Sequence, residues 1–224
     1  TDIPLIGTSL PTKFNKEAEI TTADLVGKAF CNDYKEIPIM YPYSAFLDFL
    51  EAAGDATTPI SNGNIQARLR MMYLYNLASI HKGLVMDTDN LTENNLGYFT
   101  IHGDVGDFNP IGGLWKTEVF KLAEYLIDFY RMTGQIDKSI AMFNSWSLKP
   151  TAGLGITDSD LDEIGAESYD QVDRVLQFFT DETVPVSTVK DIPEEIFDTI
   201  IKRYNSSRFK RKQLPIKITR EEIV

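Results

Sequence analysis

Short apolar runs alternate with longer stretches of helical periodicity along the chain. Apolar runs predict strands over 5–10, 36–40 and 84–86. Residues that recur at helical spacing predict helices over 16–31, 43–53, 64–82, 93–98, 116–130, 169–179 and 193–204. Strands that alternate with helices indicate an α/β protein with a parallel sheet, interpreted as one domain over residues 1–224.

Two segments depart from this alternation. Residues 147–165 are poor in hydrophobic residues and rich in Gly, Asp and Ser, which predicts a mobile loop. Residues 205–224 form a basic tail around Arg208, Lys210 and Arg211. Ligands of open parallel sheets bind beyond the carboxyl ends of the strands, which directs attention to 8–9, 87–90 and the loop after Thr100.

Composition narrows the classes of protein to consider. The 224 residues are 43% hydrophobic and 25% charged, as in ordinary globular proteins. No apolar run reaches the roughly 20 residues needed to span a membrane, and no signal peptide is visible. The net charge of −11 argues against general nucleic-acid binding. One cysteine, Cys31, and two histidines exclude an internal disulfide and argue against structural zinc, so we expect a cytoplasmic protein.

The turn after the third predicted strand concentrates polar chemistry. Asp87, Asp89 and Glu93 supply three carboxylates, and Thr88 and Thr92 two hydroxyls. Free amides where a strand opens into a helix favour phosphate, and a neighbouring carboxylate can hold Mg²⁺. The alternative is plain helix capping, by Asn90 or Thr92 with Glu93 in the first turn.

Single charged residues elsewhere are less specific. Lys116 opens a helix, where the helix dipole disfavours a cation, so it either neutralises a phosphate or is simply solvated. Arg68 and Arg70 lie roughly 200° apart on one helix and cannot both face one ligand. We interpret His81 and His102 as ordinary polar residues, because no nucleophile–histidine–acid set accompanies them.

Several motifs in order resemble those of the NAD synthetase family. Asn62–Met71 reads GNIQARLRM after its first residue and is similar to the family's GNxxARxRM helix. Leu84–Glu93 resembles the GTD(N/H)xxE segment, and Leu96–Asp104 the G(F/Y)FTxxGD segment. Further matches, in family order, are PIGGLWKTEV at 110–119, KPTAGL at 149–154, GAESY at 165–169 and Lys210-Arg211.

The resemblance implies an adenine nucleotide α-hydrolase-like fold, with a three-layer parallel sheet that has helices on both faces, and a homodimer. It implies a ligase that uses ATP and Mg²⁺ to adenylate the nicotinate carboxylate of deamido-NAD. Ammonia then displaces AMP to give NAD. Such chemistry depends mainly on positioning and charge neutralisation. The family's site residues carry over as Thr88, Lys116 and Thr151 for ATP, Glu93 for Mg²⁺, and Arg68, Asp107 and Lys210 for deamido-NAD.

Four departures from the family's pattern accompany the resemblance. Ile101 stands where many members have a substrate-contacting lysine, Phe209 replaces a histidine, and Asp87 replaces a glycine. The Ser-Gly-Gly-x-Asp-Ser loop that cradles pyrophosphate is expected before Leu5 and is not among these residues. We expect the visible residues alone to turn over negligibly, and an upstream segment to supply the loop. Alternative interpretations are a non-catalytic dimerising or ligand-binding remnant, or another ATP-pyrophosphatase ligase of this fold.

Overall fold

The computed structural model describes residues 3–151 and 159–212. Helices and strands follow each other in the predicted order, with two α-helices more than predicted. The strands are β1 (Ile6–Ser9) and β2 (Asp33–Glu36). The helices are α1 (Glu17–Phe30), α2 (Met40–Ala53), α3 (Pro59–His81), α4 (Leu91–Leu96), α5 (Lys116–Met132), α6 (Ile136–Ser147), α7 (Asp160–Ile164), α8 (Tyr169–Thr180) and α9 (Glu194–Ser206). Short 3-10 helices cover Val186–Val189 and Lys210–Lys212.

The sheet is parallel, as predicted, and within the described residues it has two hydrogen-bonded strands. Ile6 pairs with Asp33 and Ser9 with Glu36, and α1 makes the crossover between the strands. Gly7 lets the Cys31 side chain approach, since a Cβ there would stand 2.4 Å from its Sγ. The α/β class and the parallel pairing are therefore confirmed.

Two strand predictions were wrong in detail. The second strand lies at 33–36 rather than 36–40. The amides of Ile37 and Ile39 still donate to the carbonyls of Ser9 and Pro11, but Ile39 already caps α2. The third predicted strand, 84–86, makes a single parallel bridge, between Met86 and Phe108. Its carbonyls and amides bond to the loop at 107–108 and not to β1.

Helix boundaries differ from prediction where capping overrides periodicity. Helix α3 starts at Pro59 because Thr58 caps it, accepting a 3.1 Å hydrogen bond from the Ser61 amide. It stops when Lys82, one residue before the predicted Gly83, turns left-handed at φ 54°. Helix α2 begins at Met40, with Pro42 in the first turn, where no amide needs a partner.

Two helices were not predicted. Helix α7 lies within the segment 147–165, which was predicted to be a mobile loop, so that prediction was wrong for residues 160–164. The other is helix α6. It turns back from α5 at Gly134, whose φ is 74°, and packs against both α5 and α1. The residues that it buries are small, Ser139 and Ala141, whereas Ile140 and Phe143 are about half exposed. The large hydrophobic residues of this helix therefore recur on its exposed side, so a search for a buried apolar face does not predict it.

The main apolar cluster supports the end of the chain that carries the polar turns. Its members join α4, α7, α8 and α9, and they are Leu96, Ile164, Val172, Val175, Leu176, Val189, Ile192 and Ile200. Part of the predicted mobile loop, 152–158, and the tail from 213 on lie outside the described residues. Among helices of the described parts, none is long and apolar enough to cross a membrane.

Candidate active site

A cavity of about 630 Å³ opens beside the carboxyl end of β1. Its walls include the apolar side chains of Ile20, Phe120 and Trp146, which α1, α5 and α6 supply. Its charged lining residues are Glu19, Arg70, Lys116 and Lys149. Three of these four are cationic, although the whole chain carries −11, so this cavity suits a ligand with an aromatic ring and phosphates.

A second cavity, of about 570 Å³, adjoins the first. It has a polar lining from α3, the turn after residue 86, the loop at 97–104 and the C-terminal segment. Three residues line both cavities: Arg70, Lys116 and Thr151. Ligands in the two cavities would therefore meet at this cationic junction.

Glu93 and Lys116 face each other at the junction. Lys116 Nζ lies 2.8 Å from Glu93 Oε1, with the two side chains 14% and 19% exposed. Glu93 Oε2 also accepts from the Asn90 amide at 2.9 Å, and Asn90 Oδ1 accepts from the Glu93 amide at 3.1 Å. The capping interpretation of this turn is thus confirmed, and the capped turn also presents Glu93 to the cavity.

Asp173 ties the two helices of this pair together. Its Oδ1 accepts from Thr92 Oγ1 at 2.5 Å, and its Oδ2 accepts from the Thr117 amide at 2.9 Å. Thr92 Oγ1 in turn accepts from the Lys116 amide at 2.8 Å. Asp173 is 1% exposed, and this burial raises the pKa of its carboxyl group. The carboxylate therefore fixes the start of α5 against α4.

Aromatic rings surround the Lys116 ammonium. Its Nζ lies 5.4 Å from the centre of the Tyr169 ring and 6.0 Å from that of Phe120, within cation–π range. The Tyr169 hydroxyl donates to Asp160 Oδ2 at 3.3 Å, and the Tyr98 hydroxyl donates to Oδ1 at 2.9 Å. Burial raises the pKa of Asp160 and that of Tyr169. These contacts fix the orientation of the Lys116 side chain.

Two aspartates precede the capped turn. Asp87 is 6% exposed, and its carboxylate accepts from the amides of Asp89 and Gly106 at 2.8 and 3.3 Å. Asp89 Oδ2 is buried without a hydrogen-bond partner among the described residues. Burial, together with the charges of Asp87 and Glu93, raises the pKa of Asp89 to about 8. Asp89 is therefore largely protonated at neutral pH.

The C-terminal segment closes one side of the second cavity. Lys210 Nζ donates to the carbonyl oxygens of Gly97 and Phe99 at 2.7 and 2.5 Å. Gly97 is required here, because its φ is 61° and a Cβ would stand 2.4 Å from the Ser207 side chain. The ammonium of Lys210 thus lies at the cavity wall, held by the end of α4.

Arg68 and Asp107 lie by a third cavity, of about 490 Å³, lined also by Tyr75 and His102. Arg68 is exposed, and its Nε donates to the Ile101 carbonyl at 3.3 Å. Asp107 accepts from the Tyr75 hydroxyl at 3.1 Å and from the Val85 amide at 2.9 Å. Met71 lines both the second and the third cavity, so the two adjoin.

The structure thus divides the predicted site residues into two groups. Lys116 and Thr151 lie at the junction, with Thr88, Glu93 and Lys210 in the second cavity. The other two, Arg68 and Asp107, lie at or beside the third. Among the described residues, no group of three or more His, Cys, Asp or Glu side chains could hold a metal ion.

Sequence reasoning gave no role to three residues of the site, Arg70, Asp160 and Asp173. Asp173 left a usable signal, because it stands between Val172 and Val175 on the buried face of α8. A carboxylate on an apolar stripe is rare unless it is paired. Asp160 lies within the segment predicted to be mobile, 147–165, and nothing local marks it.

The family model described as NAD synthase matches residues 3–214. The chain belongs to the NAD synthase family. Among relatives of known name, it is 34% identical over 208 residues to the NH3-dependent NAD(+) synthetase of Thermoplasma acidophilum, which covers 92% of the chain and 76% of that protein. It is 29% identical to the glutamine-dependent NAD(+) synthetase of Aquifex aeolicus, of which it spans 36%.

Solved structures give the same result. An NMN synthetase from Francisella tularensis superposes with a TM-score of 0.76 at 29% identity, covering 97% of the chain and 79% of that protein. The NH3-dependent NAD synthetase from Campylobacter jejuni, in complex with nitrate, superposes with a TM-score of 0.66 at 26% identity over 96% and 77%. This member of the NAD synthase family therefore has the adenine nucleotide α-hydrolase fold implied by its motifs.

Proposed function

We propose that this protein amidates the nicotinate carboxylate of deamido-NAD at the expense of ATP, with ammonia as the nitrogen donor. The observation that carries the proposal is the junction at Lys116 and Thr151, where a cationic cavity with aromatic walls meets a polar one. ATP would occupy the first cavity and the nicotinate end of the other substrate the second. The names of the relatives support the same reaction.

The reaction proceeds in two transfers. A carboxylate oxygen of the nicotinate attacks the α-phosphorus of ATP, an O–P bond forms, and the bond to the bridging oxygen breaks, so that pyrophosphate leaves with the electron pair. Ammonia then attacks the carbonyl carbon. The C–N bond forms as the C–O bond to phosphate breaks, AMP leaves with that pair, and one proton passes from nitrogen to solvent. Bringing the reactants together accounts for much of the acceleration.

Lys116 would neutralise phosphate charge, and Thr151 and Thr88 would bond to ATP. Glu93 would hold Mg²⁺, which commonly binds one or two carboxylates together with phosphate oxygens. The unpartnered Oδ2 of Asp89 lines the same cavity, and a cation bound beside it would favour the ionised carboxylate over the protonated form. When bound, Mg²⁺ would offset negative charge on the triphosphate.

A second candidate substrate is nicotinate mononucleotide, whose amidation would give NMN. The similarity to the Francisella NMN synthetase supports it, as does Ile101 at a position where many family members have a substrate-contacting lysine. The two candidate substrates differ in the number of cavities that they would fill. A mononucleotide needs only the second cavity, whereas the adenosine half of deamido-NAD would extend past Met71 to Arg68 in the third.

Steady-state amidation assays with both substrates would test this. If deamido-NAD is the substrate, Arg68→Ala should raise its KM about tenfold or more, since an arginine that contacts phosphate or ribose contributes at least about 1.5 kcal/mol. The same change should leave the mononucleotide KM unaltered. Arg131→Ala, which removes an exposed arginine on α5, is the matched control.

Other outcomes separate the alternatives. Preference for the mononucleotide with no effect of Arg68→Ala would favour NMN synthesis. Binding of deamido-NAD without release of pyrophosphate would favour a non-catalytic remnant of the family. Adenylation of an unrelated carboxylate, with neither nicotinate substrate competing, would make the protein another ligase of the same fold.

We further propose a cytoplasmic homodimer that pairs through the α2 and α3 side of the molecule. Large apolar side chains are exposed there, among them Tyr41 at 85%, Phe49 at 62% and Ile60 at 67%. This side carries Arg68 and the third cavity. Sedimentation velocity should give twice 25.3 kDa, and Phe49→Glu should give the monomer. Tyr125→Glu, equally exposed on α5, should leave the dimer intact.

A further inference from the structure

Arg70 occupies the point where the first two cavities meet. It lies on α3, on the opposite side of the helix from Arg68. It lines both cavities together with Lys116 and Thr151. Its Nε donates to the Leu10 carbonyl at 3.0 Å, at the end of β1, which orients the guanidinium. One Nη2 hydrogen reaches Asn15 Oδ1 at 3.4 Å. The side chain is thus held in place by the strand end and the loop that follows it.

The guanidinium retains donors and charge for a ligand. Arginine has five N–H donors, and the hydrogen bonds within residues 3–151 and 159–212 use two of them. Among these residues no carboxylate lies within ion-pair distance of it, in contrast to Lys116, which pairs with Glu93. Partial burial lowers the pKa of Arg70, because the charged form loses hydration. A cation in this situation gains most from an anion.

We propose that Arg70 binds the α-phosphate of ATP and stabilises the charge that develops there during adenylation. The inference rests on the proposed function, since only a transfer between the two cavities brings a phosphate to their junction. As the carboxylate oxygen bonds to the α-phosphorus and pyrophosphate departs, negative charge accumulates on the phosphoryl oxygens. A fixed guanidinium offers planar, directed donors to those oxygens and needs no reorganisation.

Lys116 and Arg70 then have different duties. Lys116 is paired with Glu93, so a ligand must compete for its charge. Arg70 is oriented by backbone and amide oxygens, and the carboxylates of Asp104 and Glu19 attract its charge without forming an ion pair with it. Arg70 is therefore the prepared anion-binding group of the junction, and it acts on the first transfer only.

The test compares Arg70→Met and Arg70→Lys with the unaltered protein in assays that separate the two steps. We expect Arg70→Met to slow pyrophosphate release about 100- to 1,000-fold, the usual loss for one oxyanion-stabilising donor. The KM for the nicotinate substrate should change less than about threefold, and amidation of a supplied acyl-adenylate less than about tenfold. Added guanidinium ion should restore part of the adenylation rate. Arg131→Met is the control for loss of an arginine.

A structural role would give a different result. Slowing of both steps by the same factor, with a lowered Tm and no rescue by guanidinium, would overturn the proposal. So would adenylation within threefold of normal in Arg70→Met.

Equilibrium binding keeps the inference separate from the proposed function. Even if the unaltered protein makes no amide, it should bind a non-hydrolysable ATP analogue, and Arg70→Met should weaken that binding at least about tenfold. Equal affinity in the two proteins would overturn the role of Arg70 alone. Absence of analogue binding by the unaltered protein would overturn both proposals.

Discussion

The carboxylate of Asp173 on α8 accepts a 2.5 Å hydrogen bond from the hydroxyl of Thr92 on α4. The two residues are 81 positions apart in sequence and 1% exposed each. Through the Thr117 amide the same carboxylate also holds the start of α5. The relative position of Glu93 and Lys116 therefore depends on Asp173, a residue that lines neither of the two cavities.

Asp173→Asn should destabilise the protein by about 2 kcal/mol. An asparagine can still accept from Thr92, but its amide group would then face the Thr117 amide, donor against donor. Chemical denaturation should show this loss of unfolding free energy. Thermal melts should show a Tm lowered by about 4–8 °C for a chain of this length. Asp170→Asn, exposed on the same helix, should cost under about 1 kcal/mol. Equal effects of the two changes would show that the hydrogen bonds of Asp173 do not hold α4 and α5 together.

Asp89→Asn should flatten the dependence of stability on pH. The folded protein holds the Asp89 proton up to a pKa of about 8, whereas the unfolded chain releases it near the ordinary value of 3.8. Stability from this group is therefore present below about pH 4 and lost as pH rises towards 8, by at most about 1.4 kcal/mol per unit. Urea unfolding at pH 5, 6.5 and 8 would measure the difference between variant and unaltered protein.

Asp181→Asn is the control for this pH series. Hydrogen bonds from Thr183 lower the pKa of the exposed Asp181, so its contribution is lost only as pH falls into the acid range. Between pH 5 and 8 this variant should follow the unaltered protein. If the Asp89 variant also did so, its carboxyl group would be ionised throughout that range.

Gly106→Ala should destabilise the turn that supports the second cavity. A Cβ at Gly106 would stand 2.6 Å from the Val85 carbonyl oxygen and 2.8 Å from the Asp87 amide nitrogen. Both are backbone atoms, so the turn itself would have to shift, at a cost of about 1–3 kcal/mol. At Gly113 a Cβ meets nothing within 4 Å, and Gly113→Ala should be neutral or slightly stabilising in the same thermal melts.

Glu93→Gln should raise the Mg²⁺ concentration for half-maximal amidation about tenfold or more. The amide can still cap α4 by accepting from Asn90, but it has lost the charge that would bind the cation. Glu118→Gln is a matched control, because Glu118 caps α5 in the same way at the Trp115 amide. An unchanged Mg²⁺ requirement in the Glu93 variant would move the metal site elsewhere.

Local signals predicted seven of the nine α-helices among the described residues, whereas the site residues were taken from the resemblance to the family. The Asn90–Glu93 turn could be read from sequence because its capping residues are three positions apart. Helix α6 could not, since it buries serine and alanine and exposes isoleucine and phenylalanine. The role proposed for Arg70 could not be predicted from the sequence either. Its partners Leu10 and Asn15 lie 60 and 55 positions away, and only the fold shows that Arg70, and not Arg68, lines the first two cavities.

The ion pair between Lys116 and Glu93 has a thermodynamic consequence for ligand order. Each ligand frees the group that the other needs: a cation that takes Glu93 releases Lys116 for phosphate, and a phosphate that takes Lys116 releases Glu93. Mg²⁺ and ATP should therefore bind with positive cooperativity, each raising the affinity for the other by the same factor. In Glu93→Gln that coupling should be smaller, because Lys116 is no longer paired with a carboxylate that a phosphate must displace.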